Sequence, residues 1–323
     1  MPDETWDALG GLHVDAVWLM GVWERSPLGK KIALEHPGLG DDYRTVLEDL
    51  HEEDVLGSPY CVHRYEVDGR LGGRQGLAHA RKELAKRGIL LVLDYVPNHV
   101  AIDHPWVSAH PEYLIAGDDQ DLDEDPAAFV RLHDGVFALG RDPYFPAWTD
   151  VLQLNAFHRG VRGASIDTVR EIATQCDGMR CDMAMLVMND VFERTWGEHA
   201  GPPPEEEYWQ EVIPAVREDF PDVLFLAEAY WDLEWSLLQQ GFDYCYDKRL
   251  YDRLVRGNAE GVRLHLTADT GYQERLVRFM ENHDEPRATS VFEEGRAMAA
   301  AVAVATLPGA RLFHEGQFEG RIV

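Results

Sequence analysis

The run Ile89-Leu90-Leu91-Val92-Leu93 is apolar at every position, and Asp94 closes it. A strand that is apolar on both faces has to be covered on both, which places it in a parallel sheet flanked by helices. Further runs of strand length also lead into acids. Gly178 to Asp182 and Val223 to Ala227 (closed by Glu228) are two, and Leu276 to Met280 leads into Glu281-Asn282-His283-Asp284. Val14 to Met20, Phe242 to Tyr246 and Arg311 to His314 read as shorter strands. Between them lie helical stretches: Thr5 to Leu12, Gly76 to Arg87, Ile166 to Gln175, Tyr208 to Phe220, Lys248 to Arg256 and Ala297 to Thr306. In the second of these, Leu77, Ala80 and Leu84 share a face and Gly88 is the stop. Strand alternating with helix predicts parallel βαβ units.

The spacing of the closing acids sharpens this to a (β/α)8 TIM-type barrel, which spends roughly 30 residues per unit and keeps its chemistry at the C-terminal strand ends. Asp182 to Glu228 fits one unit with a generous loop, and Glu228 to Asp284 fits two. Asp94 to Asp182 fits one unit plus an excursion, and the Pro-, Asp- and Trp-rich stretch 101–150 supplies it. Within it, Asp118 to Asp125 (DDQDLDED) lacks the glycine and glutamate of an EF-hand and reads as a solvated acidic turn. After Met20 the chain reads as a Gly- and Pro-rich loop that contains Gly57 to Tyr60 and then Tyr65 and Asp68.

Asp94, Asp182, Glu228 and Asp284 would share one rim of such a barrel. Carboxylates in one cleft repel and split their pKa values, so one stays protonated while another ionises. That suits retaining glycoside hydrolysis, with nucleophile and acid/base about 5–5.5 Å apart. Arg180 lies two residues before Asp182, on the same side of an extended segment, where it favours and orients the ionised carboxylate. An isolated Arg-x-Asp is more often a structural ion pair. Acids at strand ends also suit Mg²⁺ and phosphoryl or enolate chemistry, a reading that lacks a phosphate loop and a lysine base.

Charge narrows the partners. Asp and Glu number 58 against 30 Lys plus Arg, a formal net charge of −28 over 323 residues. Phosphate binding needs basic surface, so nucleic acid and anionic membrane are poor partners, whereas a neutral sugar meets no such penalty. Lysine occurs only at positions 30, 31, 82, 86 and 248, a pattern that suits a high-salt habitat or high-GC coding equally. Cys61, Cys176, Cys181 and Cys245 have neither C-x-x-C nor zinc spacing and read as reduced, buried thiols. The acidic start MPDETWDALGG is no signal peptide, and the longest small-apolar run, Met298 to Leu307, is too short to span a bilayer. The expectation is a soluble, cytoplasmic protein.

Four segments together resemble the α-amylase family of glycoside hydrolases: DYVPNH (Asp94 to His99), GMRCDMA (Gly178 to Ala184), FLAEAYW (Phe225 to Trp231) and ENHDEPR (Glu281 to Arg287). LQLN (Leu152 to Asn155) and GSPY (Gly57 to Tyr60) with Tyr65 support them. The resemblance implies a retaining enzyme acting on α-glucosidic bonds of oligo- or polysaccharides. Asp182 would be the nucleophile, oriented by Arg180, and Glu228 the acid/base. Asp284 would support the oxocarbenium-like transition state. His99 and His283 would hydrogen-bond sugar hydroxyls, and Tyr60 would stack on a ring. Asp94 reads as a structural anchor; Trp106, Trp148 and Trp231 stand equally as sugar platforms or packing.

Departures from the family pattern set further expectations. The Lys-His pair common after the nucleophile segment is Met185-Leu186-Val187 here, which removes a leaving-group site built on it. Gln153 stands at the family's calcium-ligand aspartate, so Asn98 is expected to lack its usual partner; no metal or other cofactor is expected. The first clear strand resembles the family's second, and HEGQFEG (His314 to Gly320) its eighth. The expectation is thus an incomplete barrel over 1–100 and 151–323, missing its first strand and last helix, with a short domain-B-like insertion at 101–150 and no C-terminal β-sandwich. An α-glucan transglycosylase, a trehalose-forming isomerase and an inactive sugar-binding remnant remain as alternatives.

Overall fold

A computed structural model describes residues 2–36, 38–133 and 135–322. The chain opens with a helix, Asp3–Gly11, and the strand β1 (Ala16–Trp18). Strand β2 (Trp23–Arg25) then pairs antiparallel with β3 (Val62–Val67), and helices Pro27–Glu35 and Leu39–Val46 intervene in sequence. The stretch is thus richer in structure than its glycines and prolines suggest. The first of these helices starts on a side-chain cap: Ser26 Oγ accepts from Gly29 N at 2.7 Å, with Pro27 at the first helical position.

Helix Gly73–Ala85 feeds the next parallel strand, β4 (Leu90–Tyr95). Between them Gly88 takes φ 72°. Its N–H reaches Ala85 O (3.1 Å) while Ile89 N reaches Leu84 O (3.0 Å), the paired bonds of a Schellman turn. Leu91 and Leu93 are fully buried, as a doubly covered strand requires.

The excursion after β4 has a sheet of its own. Strands β5 (His99–Ala101), β6 (Ala116–Gly117), β7 (Phe129–Leu132), β8 (Gly135–Gly140) and β9 (Trp148–Gln153) are all antiparallel, ordered β5-β9-β8-β6 with β7 also on β8. Val100, Leu114, Phe137, Leu139, Leu152 and Leu154 form a core for it. DDQDLDED is no turn but a helix, Asp119–Glu124, because Asp118 and Asp121 close a reciprocal capping box.

Helix Arg159–Ala173 leads to β10 (Gly178–Cys181), and helix Tyr208–Arg217 to β11 (Leu224–Ala227). The latter helix buries Tyr208, Trp209, Val212, Ile213 and Val216, each contributing about 1.5–3 kcal/mol of transfer free energy. The remaining strands are β12 (Tyr244–Tyr246), β13 (Leu276–Arg278) and β14 (Ala310–Arg311). All seven parallel strands, β1, β4, β10, β11, β12, β13 and β14, follow chain order in the sheet. This is the expected α/β class, an incomplete (β/α) barrel with seven strands among the described residues.

By internal packing the chain divides inside β11, into a unit ending at Phe225 and one starting at Leu226. The second packs Tyr246, Tyr251, Phe279, Phe292, Ala300 and Val304 together. No helix among the described residues is long and apolar enough to cross a membrane.

Candidate active site

In the first unit, the register of β4 with β10 sets Arg180 directly beside Asp94. Asp182 comes next after the strand, its N–H extending the ladder to Tyr95 O at 2.8 Å. All three side chains are buried. Arg180 Nη1 donates to Asp182 Oδ1 at 2.6 Å and lies 3.5 Å from Asp94 Oδ1, so one guanidinium serves two carboxylates. Asp94 also takes Gly21 N (3.4 Å), and its carbonyl takes Trp23 Nε1 (2.8 Å). The anchor role expected of Asp94 matches these contacts. Met183 follows at φ 40°, a left-handed conformation that turns the chain immediately after Asp182.

The guanidinium has two aromatic neighbours. Its Cζ lies 5.2 Å from the centroid of the Trp18 ring and 5.1 Å from that of Tyr60, within cation–π range of each. Trp18 is a site residue that the sequence reading passed over, because its role depends on the neighbouring strands. His99 is buried against Trp148, ring centroids 5.2 Å apart. Burial pushes its pKa down to about 4 against the opposing pull of the Asp150 charge, so the ring is neutral near pH 7. Trp106 packs on the core of the excursion.

In the second unit, Glu228 follows β11 directly and is 2 % exposed. Tyr230 Oη donates to its Oε1 at 2.8 Å. Burial, and then the Glu228 charge, push the Tyr230 phenol well up, so it remains a donor. Tyr230 was also missed, although the alternation that linked Arg180 to Asp182 links it to Glu228. His283 Nε2 lies 3.0 Å from Asp284 Oδ2. Asn282 Oδ1 caps Asp284 N and Glu285 N, both at 2.9 Å, and fixes the loop. Asp284 is the most exposed of the three implied catalytic acids, its side chain 45 % accessible.

No family model matches the chain. The α-amylase MalA of Haloarcula japonica is 28% identical over 284 residues, which take in 83% of this chain. An α-1,4-glucan:maltose-1-phosphate maltosyltransferase of Streptomyces coelicolor is 26% identical over 242 residues, 74% of this chain. The crystal structure of a Lactobacillus plantarum α-amylase superposes on 98% of this chain and 66% of its own, with a TM-score of 0.69 at 23% identity. In sequence and in fold the chain is thus similar to α-amylases and their relatives. It spans 38% of the length of the first of these curated relatives and 30% of the second.

Gln153 turns its amide nitrogen, not an oxygen, toward Asn98 and Leu154. Gln153 itself pairs with Asn98, whose Nδ2 donates to Gln153 Oε1 at 3.2 Å. Among the described residues no group of three His, Cys, Asp or Glu side chains is arranged to hold a metal.

Proposed function

We propose that the chain carries out retaining cleavage of α-glucosidic bonds by double displacement. The observation that carries this reading is the buried Arg180–Asp182 pair at the end of β10. The guanidinium favours the ionised carboxylate and fixes the oxygen that would attack. Asp182 attacks the anomeric carbon, forming a glycosyl ester as the bond to the departing sugar oxygen breaks. Glu228 supplies that oxygen's proton, then takes one from the acceptor that cleaves the ester. Asp284 supports positive charge developing on the ring, while Tyr60, His99 and His283 bind the substrate. Placement of Asp182 and Glu228 directly after parallel strands supports these roles.

A second reading, transfer of a glucan unit to a sugar or sugar phosphate, is favoured by the maltosyltransferase among the relatives. The chemistry is common to both up to the acceptor. Incubation with an aryl α-glucoside and with maltooligosaccharides, alongside Glu228→Gln, tests the proposal. Release of sugar by the unmodified chain alone supports it, and products lengthened in the presence of maltose 1-phosphate would select transfer. No turnover by a chain with a cooperative melt overturns it.

A further inference from the structure

Gln153 is fully buried, and the atoms around its amide are unusually one-sided. Its Nε2 lies 2.9 Å from Asn98 O, 2.9 Å from Asn98 Oδ1 and 3.0 Å from Leu154 O. Its Oε1 accepts from Asn98 Nδ2 at 3.2 Å. Two of the three oxygens are backbone carbonyls, which can only accept, so the atom between them has to be the nitrogen. Asn98 O also accepts from Leu154 N at 3.0 Å, which uses both of its lone pairs. Three oxygens converging on one buried point is the arrangement of a hard-cation site, where oxygens stand 2.3–2.6 Å from the ion. Here an N–H₂ group fills that point, and no carboxylate joins it.

We infer that the Gln153 amide serves as a built-in replacement for a cation, clamping β5 to β9 through Asn98, and that exchanging its nitrogen for oxygen opens a divalent-cation site. The clamp joins the first strand of the excursion to its last, where His99 pairs with Gln153 in register. In Gln153→Glu a carboxylate oxygen faces three acceptors, which repel unless a cation stands between. The inference concerns folding and does not depend on the catalytic reading.

Thermal melting of the full chain, in excess EDTA and in millimolar CaCl₂, tests it. The unmodified chain is expected to melt at the same temperature in both. Gln153→Glu is expected to melt at least ~5 °C lower in EDTA and to recover most of that in calcium, by mass action on the folded state. Gln153→Met keeps the shape without the polar atoms, and should lose stability in both buffers alike. A chain already destabilised by EDTA, a Gln153→Met as stable as the original, or a Gln153→Glu indifferent to calcium or folded in neither buffer each overturns the inference.

Discussion

Two buried arginine–aspartate clusters stand at the ends of parallel strands, and they are built almost alike. Asp182 follows β10 and Asp247 follows β12, and each donates its N–H to a neighbouring strand at 2.8 Å, to Tyr95 O and Val277 O respectively. Each faces a fully buried guanidinium: Arg180 Nη1 at 2.6 Å from Asp182, Arg278 Nε at 3.3 Å from Asp247. The difference lies in how the carboxylate is employed. Asp247 caps the helix Lys248–Val255 through Leu250 N (3.1 Å) and takes His265 Nε2 on the same carboxylate, at 2.9 Å from Oδ1. Arg278 in turn is bound by Gln273. Cap, imidazole and guanidinium together employ Asp247 in holding the second unit's own structure. Asp182 starts no helix, and its arginine is shared with Asp94 and lies within cation–π range of Trp18 and Tyr60. A buried ion pair is thus no sign of chemistry by itself. What the carboxylate's remaining partners are tells the two apart.

The sharpest break would come from exchanging each aspartate for asparagine. Asp182→Asn is expected to lower kcat by at least ~10³-fold with the melt nearly unmoved. Asp247→Asn is expected to keep kcat per folded molecule while melting several degrees lower. Loss of turnover in both, with folding intact, would erase the distinction. Next in size, Arg180→Ala leaves two buried carboxylates without their counter-charge and should cost about 3–5 kcal/mol in urea unfolding. Its loss of activity should exceed that of Arg278→Ala, provided both are measured on folded protein.

Acidity separates the units more gently. Burial, aided by the Asp247 charge, pushes Glu234 up to about 7. A carboxyl raised above its unfolded value near 4.5 stabilises at low pH and loses that contribution as pH rises through about 7. Glu234→Gln should therefore raise the melting temperature at pH 8 and change little near pH 4. In the first unit His99 and His104 are both pushed down to about 4 by burial, the reverse case. Their contribution is present above pH 6.5 and is lost as pH falls toward 4. A pH series of melts on the original chain and on His104→Gln checks that arm. Smallest is Trp18→Leu, which removes one of the two aromatic faces on Arg180 and should cost about 1 kcal/mol.

Legibility in the sequence followed the range of the interactions. The strand Leu90–Tyr95 was readable because Gly88, five apolar residues and an acid stand in one short run. Asp182 and Glu228 were readable because each stands at the end of a strand-length run. The pair β2–β3 and the two helices between them were not, since few of their residues are buried and no periodicity shows. The acidic helix Asp119–Glu124 was masked by its own charge, although Asp118 and Asp121 carry the capping signal. Trp18 over Arg180 needs the register β1–β4–β10 before it can be seen at all. The partner that Gln153 gives Asn98 comes only with the folded distances.

The four cysteines give the molecule a set of internal clocks. All are free and buried, and burial pushes every one of their thiols up, Cys176 to about 12. None offers a thiolate to an alkylating reagent until its surroundings open. Cys61, Cys176 and Cys181 lie before Phe225 and Cys245 after Leu226, so peptide-resolved labelling in time would count the openings of each unit separately, with no reporter added.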